Sequence, residues 1–339
     1  MDTQLRMVRH YRVDDKGKPV SLRDDSALVS AQDFTCATCL KLMKGIARYR
    51  RLERQALLGE SAKKLIVLAN RVYVPLANEL SFIVQFLSEL NPQVNSNWPE
   101  VIEIGGTRWD QVSAMRDVVN ETNYGRWDAI LDLRERIEWH RRLIQPEVET
   151  MQNVQDLLKK TIGDGNKRNL SSVIALLQTK VLLQADVLLV SLDIALLTDF
   201  STLVSEARSS KAQPWKVTLN LDMHTIEDDC IWLIQEAINH QRLFYQAEGY
   251  LYLALAHAFE RKNSLSPGRR ETLAHQIRET VARGKAICHL HPDQTPGLLP
   301  QLDSVVVMLN KNTVHTVITS QERFAAISNM ALELQESEK

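Results

Sequence analysis

The stretch from Val181 to Phe200 constrains this chain more than any other part of its sequence. It is the most apolar segment, and the pattern around it, from Leu170 to Ala207, is helical and apolar on nearly every face. Three carboxylates within it would cost several kcal/mol in a bilayer, so we predict a buried core helix and no membrane span. Its polar residues are Gln184, Asp186, Asp193 and Asp199.

The rest of the chain also favours helix. It has 339 residues, only 12 glycines and 10 prolines, and an abundance of residues that lose little rotamer freedom in a helix. We predict an all-α fold, either a multi-helix bundle or an elongated helical array. The expected helices lie at about 40–58, 61–90, 109–122, 126–162, 170–207, 225–262, 267–291, 297–312 and 320–335.

A short β-hairpin is expected near the N-terminus. Tyr11–Val13 and Val20–Leu22 would be its strands, with a turn at Asp15-Lys16-Gly17. The Gly-Asp-Gly-Asn run at 163–166 is a strong helix stop. We therefore expect three regions: residues 1–40 with the hairpin and a Cys pair, a first helical region at 41–162, and a second at 168–339.

Several local patterns predict where helices begin, bend and end. Pro75 should kink or divide the helix that contains it. Residues 91–107 and 208–222 are expected to be a break and a linker. Thr225 with Asp228 resembles a capping box that opens a helix to about Lys262. Ser266-Pro267 is typical of an N-cap followed by proline.

Cys36-Ala-Thr-Cys39 is the most specific short motif. Its spacing suits two thiolates on one Zn²⁺, but a structural site needs four ligands and no second such pair occurs. Cys288, His289 and His291 are candidates for the remaining ligands. A CxxC pair without metal is the favoured interpretation, so we predict no cofactor, with zinc as the alternative.

The segment from Lys41 to Lys64 is strongly basic, with eight Lys or Arg against two Glu. A stripe of this kind can follow nucleic-acid phosphates, and it can equally be a solvated helix face. The candidate nucleic-acid-binding residues are Lys41, Lys44, Arg48, Arg50, Arg51 and Arg54. A second basic cluster surrounds Trp139, at Arg134, Arg136, His140, Arg141 and Arg142, where Glu135 and Glu138 favour ion pairing along a helix.

No catalytic motif is recognisable in the sequence. It contains no phosphate-binding GxxxxGK[ST], no GxGxxG after a strand, no HExxH and no GxSxG. The net charge of −1 argues against strong, delocalised binding to nucleic acid. The missing catalytic motifs predict a protein that is not an enzyme. Four sparse cysteines and an N-terminus without an apolar leader predict an intracellular protein, cytoplasmic or nuclear.

The chain resembles the C-terminal helical region of the NFX-type zinc-finger superfamily-1 helicase-like proteins, especially their fungal members. The N-terminal part of the resemblance is MDTQLRMVRHYRVDDKGKPVSL followed by CATCLKLMKGIARYRRLERQALLGESAKKLIVLANRVYVPLANEL. Near the other end, VITSQERFAAISNMALEL is similar to the helix that precedes the family's terminal RZ-type finger. The middle of the chain shares only helical character.

The chain departs from the family at informative positions. Ala37 and Leu40 replace the proline and arginine of the family's CPxCR pair, and Arg50 replaces the glycine of its RYGR helix. The helicase motor, the partner zinc ligands and the RZ finger are not in the sequence. The resemblance implies a zinc-finger remnant at Cys36 and Cys39, and a setting in RNA silencing or surveillance. We expect a helical scaffold that binds protein partners, with an RNA-binding accessory domain or a zinc-stabilised domain as alternatives.

Overall fold

The computed structural model describes residues 11–16, 19–22, 50–90, 101–162, 172–209, 218–221, 223–264 and 266–311. Within these ranges the fold is all-α, as predicted, with eight α-helices. They are α1 (Arg50–Glu89), α2 (Arg108–Thr122), α3 (Asp128–Ile162), α4 (Ser172–Ser209), α5 (His224–Asn239), α6 (Leu243–Asn263), α7 (Pro267–Leu290) and α8 (Leu298–Lys311). The helix expected at 320–335 lies outside the described residues.

The predicted N-terminal hairpin is confirmed. Strands β1 (Tyr11–Val13) and β2 (Pro19–Leu22) pair antiparallel, with Tyr11 opposite Leu22. The register shifts between Arg12 and Val13, because Arg12 lies opposite Ser21 while Val13 lies opposite Pro19.

Two further strands were not predicted. Strand β3 (Val101–Ile104) lies in the expected break, and β4 (Thr218–Leu221) lies in the expected linker. They pair in parallel, with Val101 opposite Thr218. In β3, Val101 and Glu103 are exposed while Ile102 and Ile104 are buried. Four residues of alternating exposed and buried positions, flanked by Pro and Gly, are too few to be recognised as a strand from the sequence.

Pro75 does not divide its helix. Residues 50–89 form the single helix α1, with Pro75 inside it and its side chain exposed. Apolar residues at helical spacing along α1 are mostly buried, including Leu65, Leu76 and Leu80. Leu68 has the same spacing, but its side chain is exposed to solvent.

The chain divides into two compact units that are discontinuous in sequence. The first comprises residues 1–72 and 142–182, and the second comprises 73–141 and 183–339. Each unit therefore combines segments of the two helical regions expected at 41–162 and 168–339. The first unit has a buried cluster to which α1, α3 and α4 all contribute: Leu65, Ile66, Ala69, Ile144, Val148 and Val181.

The central helix α4 is buried as its sequence predicts. Every residue of α4 from Leu183 to Ser201 is buried, so the predicted core helix is confirmed. Among the described residues, Val181–Ala207 is also the one segment long and apolar enough to cross a membrane by length and composition. In the structure, 94% of its most apolar window is buried inside the protein.

Helices α5 to α8 follow one another through short connections, and each packs against the next, so we call them the helical hairpins. The helix expected from Thr225 to Lys262 is two helices, because the chain turns at Gln241, whose φ is 54°. No Gly or Pro marks that turn. The capping box at Thr225 is also wrong: the N-cap is Met223, and the Thr225 hydroxyl donates instead to the Gly106 carbonyl at 3.0 Å.

The start and end of α7 are predicted correctly. Ser266 caps the helix, with its hydroxyl accepting from the Arg269 N–H at 3.4 Å, and Pro267 is the first helical residue. The helix ends at Leu290, just before His291-Pro292.

Glycines set the spacing between the helices of these hairpins. A Cβ on Gly249 of α6 would lie 2.7 Å from Ile234 Cγ1 of α5. A Cβ on Gly284 of α7 would lie 3.1 Å from Leu302 of α8 and 3.3 Å from Tyr250 of α6. The absence of a side chain at both positions therefore lets neighbouring helices approach closely.

Candidate functional site

The residues predicted to bind metal or nucleic acid are largely beyond the described part of the chain. Cys36, Cys39, Lys41, Lys44 and Arg48 lie outside it. The backbone of Arg50, Arg51 and Arg54 forms the start of α1, but their side chains are not described. Within the described residues, no group of three or more His, Cys, Asp or Glu is placed to hold a metal ion.

The two described cysteines are buried thiols. Burial raises the pKa of Cys230 and of Cys288 above the ordinary value. A thiol with a raised pKa stays protonated at neutral pH, and the thiolate is the form that attacks and binds metal. Neither thiol is therefore activated as a nucleophile at neutral pH.

The buried carboxylates of α4 are matched by arginines. Asp199 accepts from the Arg126 guanidinium at 2.7 and 2.9 Å and from the Trp127 indole N–H at 2.8 Å. Arg126 also donates to the Leu87 carbonyl at 2.9 Å. Because the last carbonyls of a helix lack partners within it, Arg126 ties the end of α1 to the C-terminal half of α4.

Asp193 binds two arginines from other helices. The Arg108 side chain of α2 pairs with it and also lies 3.3 Å from Asp229 of α5. Arg134 of α3 lies 3.4 Å from the other Asp193 oxygen. Burial alone would lower the pKa of Arg108, but these facing carboxylates raise it, so the guanidinium stays charged.

Asp186 is less completely neutralised. Arg141 of α3 donates to one of its oxygens at 2.5 Å, and the other oxygen is buried with no hydrogen-bond partner among the described residues. Burial raises the pKa of Asp186 in spite of Arg141. Together the three carboxylates fix α4 against α2, α3 and the turn between them.

The second predicted basic cluster is thus divided between the core and the surface. Arg134 is buried and Arg141 reaches Asp186, while the expected helical pair between Arg134 and Glu138 is present at 2.5 Å. Arg136 remains exposed on the surface of α3. It pairs with both oxygens of Glu79 on α1, one of them at 2.9 Å, and with Asp132 at 3.0 Å.

Three large aromatic side chains on the same two helices are exposed. Phe82 is 66% exposed and Phe86 is 58% exposed, three and seven residues after Glu79 on α1. Trp139 is 63% exposed, three residues after Arg136 on α3. Residues three or four apart share a helix face, so we call these three side chains and the Glu79–Arg136 pair the aromatic face.

The aromatic face is the strongest candidate for a functional site in the described part of the chain. Its aromatic side chains are exposed to water, whereas most large apolar residues of the same helices are buried. Sequence reasoning missed Phe82 and Phe86. Their positions fall outside the buried row of Leu76, Leu80 and Leu87, so a helical projection contained the necessary information.

Comparison with known protein families, with curated proteins and with solved structures finds no match to this chain.

Proposed function

We propose that this chain is a non-catalytic helical scaffold that binds a protein partner through the aromatic face. The observation that carries the proposal is the exposure of Phe82, Phe86 and Trp139 around one ion pair. Aromatic residues and arginine are enriched at the centres of protein interfaces, where they supply most of the binding energy. The ion pairs of α4 support this role because they hold the helices that present the face.

The RNA-related setting and the intracellular location belong to the same proposal. The setting rests on the resemblance to NFX-type helicase-like proteins, which is confined to segments near the two ends of the chain. The location rests on the sparse cysteines.

A photo-crosslinking amino acid at position 82 tests the proposal. We expect it to capture a specific partner that the same probe at exposed His275 of α7 does not. The partner, once identified and purified, should bind the F82S/F86S/W139S variant at least about tenfold more weakly than the wild type. Equal capture at positions 82 and 275, or unchanged affinity of the variant, would contradict the proposal.

A second candidate function is RNA binding by the basic segment from Lys41 to Lys64. The excess of Lys and Arg in this segment favours it. Binding should weaken steeply as salt rises, and R48E/R51E/R54E should abolish it. Binding that is insensitive to salt, or unchanged in that variant, would exclude this candidate.

Zinc binding by Cys36 and Cys39 is a third candidate, suggested by their spacing. Elemental analysis should then find about one zinc per chain, and a chelator should lower the melting temperature. A protein without zinc whose melting is unchanged by the chelator would exclude it.

A further inference from the structure

The surface around Phe82 and Phe86 is acidic, while Arg142 is exposed three residues beyond Trp139. Residues 78–89 of α1 and 128–139 of α3 are fully described, and six carboxylates on them reach solvent. Arg136 is the one exposed basic side chain in these two stretches. The carboxylates are Glu79, Glu89, Asp128, Asp132, Glu135 and Glu138.

The exposed arginine of these two stretches is already neutralised. Arg136 pairs with Glu79 and with Asp132, which leaves negative charge in excess around the aromatic side chains. Among the described residues, Asp128 and Glu135 form no ion pair. A ligand with positive charge at its edges would therefore find unpaired carboxylates next to an apolar centre.

We propose that the aromatic face binds a basic amphipathic helix of a partner protein, an inference that rests on the proposed function. The apolar side of that helix covers Phe82, Phe86 and Trp139. Its lysines and arginines pair with carboxylates at the rim, including Asp128 and Glu135. Complementary charge of this kind increases the association rate and rejects partners of the wrong sign.

The same charge argues against two other occupants. Nucleic acid is repelled because its phosphates would face carboxylates. A second copy of this chain, docked by the same face, would place its own acidic rim against the first.

Two synthetic helical peptides test the inference on the full-length protein. One has leucine at helical spacing with lysine elsewhere, and the other has glutamate in place of every lysine. Measured by fluorescence anisotropy, the lysine peptide should bind at least about tenfold more tightly than the glutamate peptide. F82S/F86S should weaken its binding about tenfold, and D128N/E135Q severalfold with a shallower salt dependence.

A matched control uses two exposed carboxylates without a described ion pair, Glu271 of α7 and Asp293, which follows that helix. E271Q/D293N should leave binding of the lysine peptide unchanged. Weakening equal to that of D128N/E135Q would overturn the inference, because it would show attraction to acidic surface in general.

The remaining outcomes separate this inference from the proposed function. Equal affinity for both peptides, lost in F82S/F86S, overturns the basic partner but keeps the aromatic face as a protein-binding surface. No binding of either peptide also overturns the basic partner, and crosslinking at position 82 then decides the proposed function. Peptide binding that F82S/F86S leaves intact contradicts both.

Discussion

Two parts of the second unit are stabilised by different interactions. Around α4, buried carboxylates such as Asp193 and Asp199 bind arginines from α2, α3 and the turn between them. In the helical hairpins α5 to α8, glycines such as Gly249 allow close helix packing. The helices around α4 should lose stability when one charged group is removed. The helical hairpins should lose stability when one methyl group is added.

Removing the Asp199 carboxylate should have the largest effect. Asp199→Ala leaves the Arg126 guanidinium buried without its counter-charge and the Trp127 N–H without an acceptor. Breaking a buried pair in this way costs about 3–5 kcal/mol. Urea denaturation measures the free energy of unfolding.

The control for Asp199→Ala is Asp117→Ala. Asp117 pairs with Arg116 on the exposed surface of α2, so its loss should cost less than about 0.5 kcal/mol. Equal costs for the two variants would show that the ion pairs of α4 do not stabilise the fold as described.

Adding a methyl group at Gly249 should have the next largest effect. Gly249→Ala forces Ile234 to move, because the new Cβ would lie 2.7 Å from its Cγ1. Overpacking of this kind costs about 1–3 kcal/mol. Gly268 of α7 is the matched control, since a Cβ there meets nothing within 4 Å, and Gly268→Ala should be neutral or stabilise by up to about 1 kcal/mol.

The contributions of the two parts to stability should also change with pH in opposite directions. In the hairpins, the His257 ring lies 3.4 Å from Glu227 and lowers the pKa of that carboxyl. Because the pKa of Glu227 is lower in the folded protein, its carboxylate stabilises the fold at pH values above the ordinary glutamate pKa. This stabilisation is lost as the pH falls through the folded pKa. Around α4, burial raises the pKa of Asp186. The contribution of this carboxyl to stability is therefore present at low pH and is lost as the pH rises through its folded pKa.

Urea midpoints across the acid range check this contrast. Glu227→Gln should reduce the loss of stability on acidification, and Asp186→Asn should reduce the loss on raising the pH from the ordinary aspartate value. If both substitutions changed the pH dependence of the urea midpoint in the same direction, the opposite contributions of Glu227 and Asp186 would be contradicted.

The smallest effect on stability is expected at the aromatic face. F82S/F86S removes side chains that are already exposed, so the free energy of unfolding should change by less than about 0.5 kcal/mol for each substitution. A cost of several kcal/mol would mean that these residues pack within the fold and are not reserved for a partner.

Sequence reasoning predicted the features that depend on local pattern. The core helix from Leu183 to Ser201, the Ser266-Pro267 cap and the N-terminal hairpin each follow from hydrophobicity or turn chemistry within a few residues. The pairing of β3 with β4 did not follow, because its partners lie far apart in the sequence, Val101 with Thr218. The turn at Gln241 was not predicted because the sequence has no Gly or Pro there.

The candidate site was predicted only in part. Trp139 and the arginines around it were recognised as a cluster, but the sequence could not show which arginine would enter the core. Arg134 faces Asp193 while Arg136 stays outside, a difference set by tertiary packing of α3.

Hydrogen exchange of the full-length protein, with and without the lysine peptide, tests the central claim most directly. We predict slower amide exchange in residues 78–89 and 128–139 when the peptide is bound, with exchange in α7 unchanged. Protection confined to other helices, or no protection at saturating peptide, would contradict the claim that the aromatic face is the binding surface.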